Sequence, residues 1–240
     1  MRYSSLTHRI AGEGSDAWLV HDLAVQRQAA GEDVILLSIG DPDFDTPVEI
    51  RAAAADALHR GRTHYSPIGG EPAVRAAVAS HTSALLGVSI VPEQVTMFPG
   101  AQAALFAVAQ CLFEPGDEVI VAEPAYVTYE AVLGAPGARM VQIPLRPDNQ
   151  FRLDPSDVAR AITPRTRGVL LNFPHNPRAR VSRPMQRRAV AELCRDRELW
   201  CVSDEVYASL NFASPHVSPL SHPGMNDLGC SFHRFPSRMR

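Results

Sequence analysis

At 240 residues, with 45% apolar and 20% charged side chains, the chain suits one large globular domain or two small ones. A formal charge of −3 and a pI near 6.3 leave no basic surplus, so neither nucleic acid nor an anionic membrane is expected as a partner. No apolar run approaches the ~20 residues that span a bilayer, residues 1–30 lack the apolar centre of a signal peptide, and Cys111, Cys194, Cys201 and Cys230 form no CxxC pair. A reducing, cytoplasmic setting is the expectation. One count bears directly on chemistry: all 23 basic residues are arginine. No side chain of this chain therefore forms a Schiff base with an aldehyde.

In chain order, Thr46-Pro47-Val48-Glu49 reads as a capping box with proline at the first helical position, and Gly61 as the stop of that helix. A second helix is predicted over 71–86, ending at Gly87. Val95 to Phe98 is strand-like. Directly after Gly100, residues 101–113 are apolar almost all round, which predicts a buried helix. Alternation follows: strand 118–122, helix 127–133, strand 139–144, and helix 155–162 with Asp154 as its cap. Strand 168–172 comes next, then helix 182–197 with apolar residues at 185, 189, 190, 193 and 194, and strand 199–203. That β–α–β–α order implies a parallel sheet with helices on both faces. Residues 226–240 show no period and are expected to be irregular.

In such sheets ligands sit beyond the carboxyl ends of the strands, and four polar clusters fall there. Gly100-Ala101-Gln102 opens a helix with free N–H groups, either a phosphate seat or an ordinary strand-to-helix turn. Tyr126 follows the 118–122 strand and offers either a stacking platform or simple packing. The run 172–177 (NFPHNP) brackets an imidazole and an amide between two prolines, so its side chains are pre-aimed or the turn is merely rigid. Asp204 directly follows an apolar strand, where a buried carboxylate needs a cation or hydrogen-bond donors, such as a protonated heterocyclic nitrogen. The alternative is that Asp204 caps the next segment. His64, His175, His216 and His222 lack metal-ligand spacing, and GxGxxG, GxxxxGK[ST], GxSxG and HExxH are all missing.

Six segments in this order resemble the fold-type I pyridoxal-phosphate enzymes of the class I/II aminotransferase family: 38–47 (SIGDPDFDTP), 63–75 (THYSPIGGEPAVR), 99–105 (PGAQAAL), 115–130 (PGDEVIVAEPAYVTYE), 172–177 (NFPHNP) and 203–212 (SDEVYASLNF). The similarity covers about residues 1–225. It implies an α/β large domain, incomplete here, with a mainly parallel sheet flanked by helices and a small domain largely missing. Residues 1–46 would be the amino-terminal arm, 47–225 the cofactor-binding domain and 226–240 an aberrant tail.

By the same resemblance, Gly100, Ala101 and Gln102 would hold the phosphate of pyridoxal 5'-phosphate, and Tyr126 would stack on its ring. Asp204 would pair with the pyridinium nitrogen, while Asn176 and Tyr207 would bond the phenolic oxygen. Gly40 would approach the substrate carboxylate. Tyr65 would reach the cofactor phosphate of the other subunit of a homodimer. The implied activity moves an amino group from an arginine-like amino acid to a pyruvate-like 2-oxo acid. A carbon–sulfur lyase sharing the pocket, or a non-catalytic cofactor-binding protein, are the alternatives.

Two departures stand out. Arg178-Ala179 replaces the family's small residue and glycine, and the catalytic lysine expected soon after 203–212 is not there. Read from the third base of the Phe232 codon, the tail permits Ser-Ser-Leu-Ser-Lys-Ser-His-Ala, which favours a frame disruption over a divergent terminus. An incomplete sheet is then expected, with 95–98 without neighbours, 199–203 as an exposed edge, and the chain unstable or prone to aggregate.

Overall fold

The computed structural model describes residues 2–11, 16–40, 44–212, 215–225 and 227–233. Five strands form its centre: β1 (Glu118–Glu123), β2 (Arg139–Pro144), β3 (Thr166–Asn172), β4 (Trp200–Asp204) and β5 (Gly229–Phe232). They lie in the order β2-β1-β3-β4-β5, and every pairing is parallel. The chain starts at β1, moves outward to β2, then returns to the other side at β3. That reversal leaves a crevice at the carboxyl ends of β1 and β3, where ligands of open α/β sheets bind.

Strand periodicity sorts the core into two layers. Ile120, Val169, Leu171 and Cys201 face one side and pack with Val158 of α7 (Pro155–Ala161) and Val190, Ala191 and Cys194 of α8 (Pro184–Asp196). Val119, Val121, Leu170, Val202 and Phe232 face the other side. There they meet Leu105 and Ala109 of α5 (Ala101–Leu112) and Tyr129, Val132 and Leu133 of α6 (Tyr129–Gly134). Earlier in the chain come α1 (Leu6–Ile10), α2 (Asp16–Ala29), α3 (Val48–His59) and α4 (Pro72–Leu86). Among the described residues, no helix is long and apolar enough to cross a membrane.

Most expected elements lie within two residues of their predicted bounds, and Asp154 caps α7 by accepting from the Ser156 amide at 2.9 Å. Several expectations are corrected. Pro47, not Thr46, occupies the position before α3, and no side chain caps that helix. Only Leu105 and Ala109 of α5 are fully buried, while Gln102, Phe106, Gln110 and Cys111 are exposed; the helix packs one stripe on the sheet. Residues 95–98 form no strand, and their backbone bonds elsewhere: Met97 N–H donates to the Gly69 carbonyl, and the Val95 carbonyl accepts from Arg75. Nor is 199–203 an exposed edge. Residues 229–232, expected to be irregular, pair with it as β5, because Cys230 and Phe232 alternate onto the buried face. The lysine position inferred from the shifted frame lies outside the described residues.

At the opposite end of the sheet, Glu118 is 1% exposed and accepts from Thr163, Arg139 and Arg165. These donors, Thr163 first, hold its carboxyl down at about 2 against an ordinary 4.5. A depressed carboxylate contributes stability that is present above about pH 4.5 and lost as pH falls toward 2. Urea titrations across that window should show the midpoint of the parent chain falling on acidification. Glu118→Gln should start lower and fall less steeply, and parallel curves for the two would contradict the assignment.

Candidate functional site

Three strand ends and one helix start converge at the crevice. Gly100 opens α5 at φ +95°, a backbone state that costs glycine little and other residues more, and the first amides of a helix have no partner within it. Gln102 in that first turn accepts a 2.9 Å hydrogen bond from Thr128 Oγ1, tying the α5 start to the segment after β1. In the same segment Tyr126 and Tyr129 meet edge to face, with ring centroids 5.6 Å apart at 72°. Burial raises the Tyr126 hydroxyl above its usual range, and Tyr207 and Asp204 raise it further.

Asp204 closes β4 at 9% exposure. Its Oδ2 accepts from the Tyr129 hydroxyl at 2.6 Å and its Oδ1 from the Val206 amide at 3.3 Å. Burial pushes its carboxyl upward, although both donors oppose that shift. No cation pairs with it among the described residues. Across the crevice, Asn176 Nδ2 donates to the Tyr207 hydroxyl at 3.3 Å. His175, which precedes Asn176, is 5% exposed, and burial first, then Arg178, lowers it to about 4, so it is neutral near pH 7.

The structure therefore brings together Gly100, Ala101, Gln102, Tyr126, Asn176, Asp204 and Tyr207. The Tyr65 ring is fully exposed, and nothing lies within 4 Å of where a Cβ on Gly40 would sit.

Sequence reasoning missed a second polar cluster on the other face of β4. Glu205 is 1% exposed; its Oε1 accepts from Ser203 Oγ at 2.8 Å and Ser218 Oγ at 2.5 Å. His216 Nε2 lies 2.7 Å from Oε2 and so carries the proton between them, while its Nδ1 is buried without a partner. Burial would raise the Glu205 carboxyl, but His216, His233 and Ser218 bring it below the usual range. The signal for this cluster was present in strand period: Ser203 and Glu205 must face away from Asp204. Tyr129, the donor to Asp204, was also missed, although it follows Tyr126 at a helix start.

A parallel sheet with a tyrosine-held carboxylate, a paired amide and phenol, and a glycine-opened helix at one crevice has the layout of an open α/β-sheet ligand site. The model of the family described as aminotransferase class I and II matches residues 32–228, and the chain belongs to that family. It is 53% identical over 227 residues to arginine–pyruvate transaminase AruH of Pseudomonas aeruginosa, covering 95% of this chain and 58% of that protein. Against the aspartate/prephenate aminotransferase of Thermus thermophilus it is 38% identical over 200 residues. Among solved structures, Thermus thermophilus aspartate aminotransferase with maleate matches with a TM-score of 0.91 at 33% identity, covering 97% of this chain and 60% of that one. N-succinyldiaminopimelate aminotransferase from Mycobacterium tuberculosis matches at 0.85, also with 33% identity. The chain thus spans somewhat more than half the length of these relatives.

Proposed function

We propose that the crevice holds pyridoxal 5'-phosphate and that the chain represents an aminotransferase for an arginine-like donor and a pyruvate-like acceptor. The observation that carries this reading is Asp204, a buried carboxylate with hydrogen-bond donors but, among the described residues, no paired cation. A protonated pyridine nitrogen supplies that cation, and Asp204 would keep it protonated. Asn176 and Tyr207 would bond the phenolic oxygen, Tyr126 would cover the ring, and Gly100, Ala101 and Gln102 would seat the phosphate at the α5 start. When bound, the cofactor supplies an electron sink. Gly40 and the 1–46 arm would meet the substrate, and Tyr65 would serve the other subunit of a homodimer.

With no lysine in the chain, no side chain is available to hold the aldehyde covalently, and the lysine with which the family moves a proton at the reacting carbon is missing. The reading is therefore of an inactive chain whose tail from about residue 233 is out of frame. Sequencing the gene downstream of the Met225 codon tests this directly. A shifted frame with a lysine codon near position 236 is expected, and the re-framed protein should deaminate arginine only when pyruvate is present. Sulfide release from cysteine-type substrates instead would point to a carbon–sulfur lyase. The order of β5 beside β4 favours one second reading, a cofactor-binding protein without catalysis, which an unbroken frame would support.

A further inference from the structure

Asn172 ends β3 directly opposite Asp204 in the strand register, and it is 6% exposed. Its side-chain Nδ2 donates to the Asp204 backbone carbonyl at 3.2 Å, and its Oδ1 accepts from the Asn176 backbone amide at 2.6 Å. The amide orientation follows from chemistry: a carbonyl only accepts and an N–H only donates, so the flipped amide would break both bonds. The Asp204 carbonyl also accepts from the Phe173 amide at 3.1 Å. One buried side chain thus connects the ends of two neighbouring strands, and each connected backbone carries a group aimed into the crevice. On one side is the Asp204 carboxylate; on the other is the Asn176 amide, bonded to Tyr207.

We propose that Asn172 is a positioning residue, a ruler that sets the spacing between Asp204 and Asn176 so that both meet one flat heterocycle at once. The inference rests on the pyridoxal-phosphate reading of the pocket and names a residue that does not touch the ring. Its action is indirect, through the backbones of the two residues that would. Replacement by alanine removes both bonds. Aspartate keeps the oxygen that accepts from Asn176 but loses the donor to Asp204.

The test combines amide hydrogen exchange, on the chain without added cofactor, with titration by pyridoxal 5'-phosphate. In Asn172→Ala, the Asn176 amide should lose about tenfold in protection, while the Val169 and Leu171 amides inside β3 keep theirs. Asn172→Asp should retain the Asn176 protection. Both variants should bind pyridoxal 5'-phosphate about tenfold more weakly, and Asn172→Ala combined with Asn176→Ala should cost less than the product of the two single effects, because part of the Asn172 effect passes through Asn176 and the rest through Asp204. Unchanged Asn176 protection in Asn172→Ala overturns the proposal. So does loss of protection throughout β3, which would make Asn172 a general support, or binding by Asn172→Asp equal to the parent. Should the parent itself fail to bind pyridoxal 5'-phosphate, the pocket reading falls, and the exchange experiment alone decides whether Asn172 holds the two strand ends together.

Discussion

Asp204→Asn should weaken pyridoxal 5'-phosphate binding by about two orders of magnitude while raising the thermal stability of the chain without cofactor. The two halves share one cause. Burial disfavours the charged Asp204 carboxylate, and among the described residues no cation forms an ion pair with it. Because its pKa in the folded chain lies above the ordinary 3.8, ionisation opposes folding. That stability is present below the unfolded value and lost as pH rises through the raised one. Asparagine has nothing to ionise and removes the cost. Binding responds in the opposite direction, since breaking a buried ion pair by deleting one partner costs roughly 3 kcal/mol, about a hundredfold in Kd. Absorbance titration and thermal melts on parent and variant decide it. Equal affinities would remove Asp204 from the binding reading, and a lower Tm in the variant would contradict the account of its burial.

Glu205→Ala should be among the most damaging single changes, destabilising the chain by about 3–5 kcal/mol. Three donors would be left buried at once: Ser203 Oγ, Ser218 Oγ and His216 Nε2. For a chain of this size that corresponds to a Tm lower by roughly 10 °C. Glu205→Gln keeps the shape and one accepting oxygen, and the serine hydroxyls can rotate to meet its NH2, so a smaller loss is expected. Urea denaturation of the three proteins gives the ranking. A cost below about 1 kcal/mol for the alanine variant would mean that water replaces the carboxylate there.

Much of this architecture was legible in the residues. The β–α alternation from 118 to 204 was plain because short β-branched runs alternate with helical apolar spacing, and Asp154 marks the start of α7. The four clusters were legible because parallel sheets place chemistry at carboxyl ends. What escaped was set by tertiary pairing. Residues 229–232 look irregular in isolation and become a strand only against β4; 95–98 look like a strand and form none. Tyr129 reads as a packing residue until its hydroxyl is seen 2.6 Å from Asp204. Asn172 was quoted within its motif without a role, because its two partners lie on backbones that only the fold brings together.

Adjacent carboxylates at 204 and 205 serve opposite faces of the same sheet, and this has a consequence for how the gene can change. Substitutions within β4 alter one contact at a time. Loss or gain of a single codon there would instead rotate every following side chain to the other face. Glu205 would be delivered to the crevice and Asp204 to the serine–histidine nest, leaving both clusters with the wrong acid. Length variation should therefore be far rarer than residue variation in this strand, and screens of codon deletions across 200–204 for soluble folded protein should recover almost nothing.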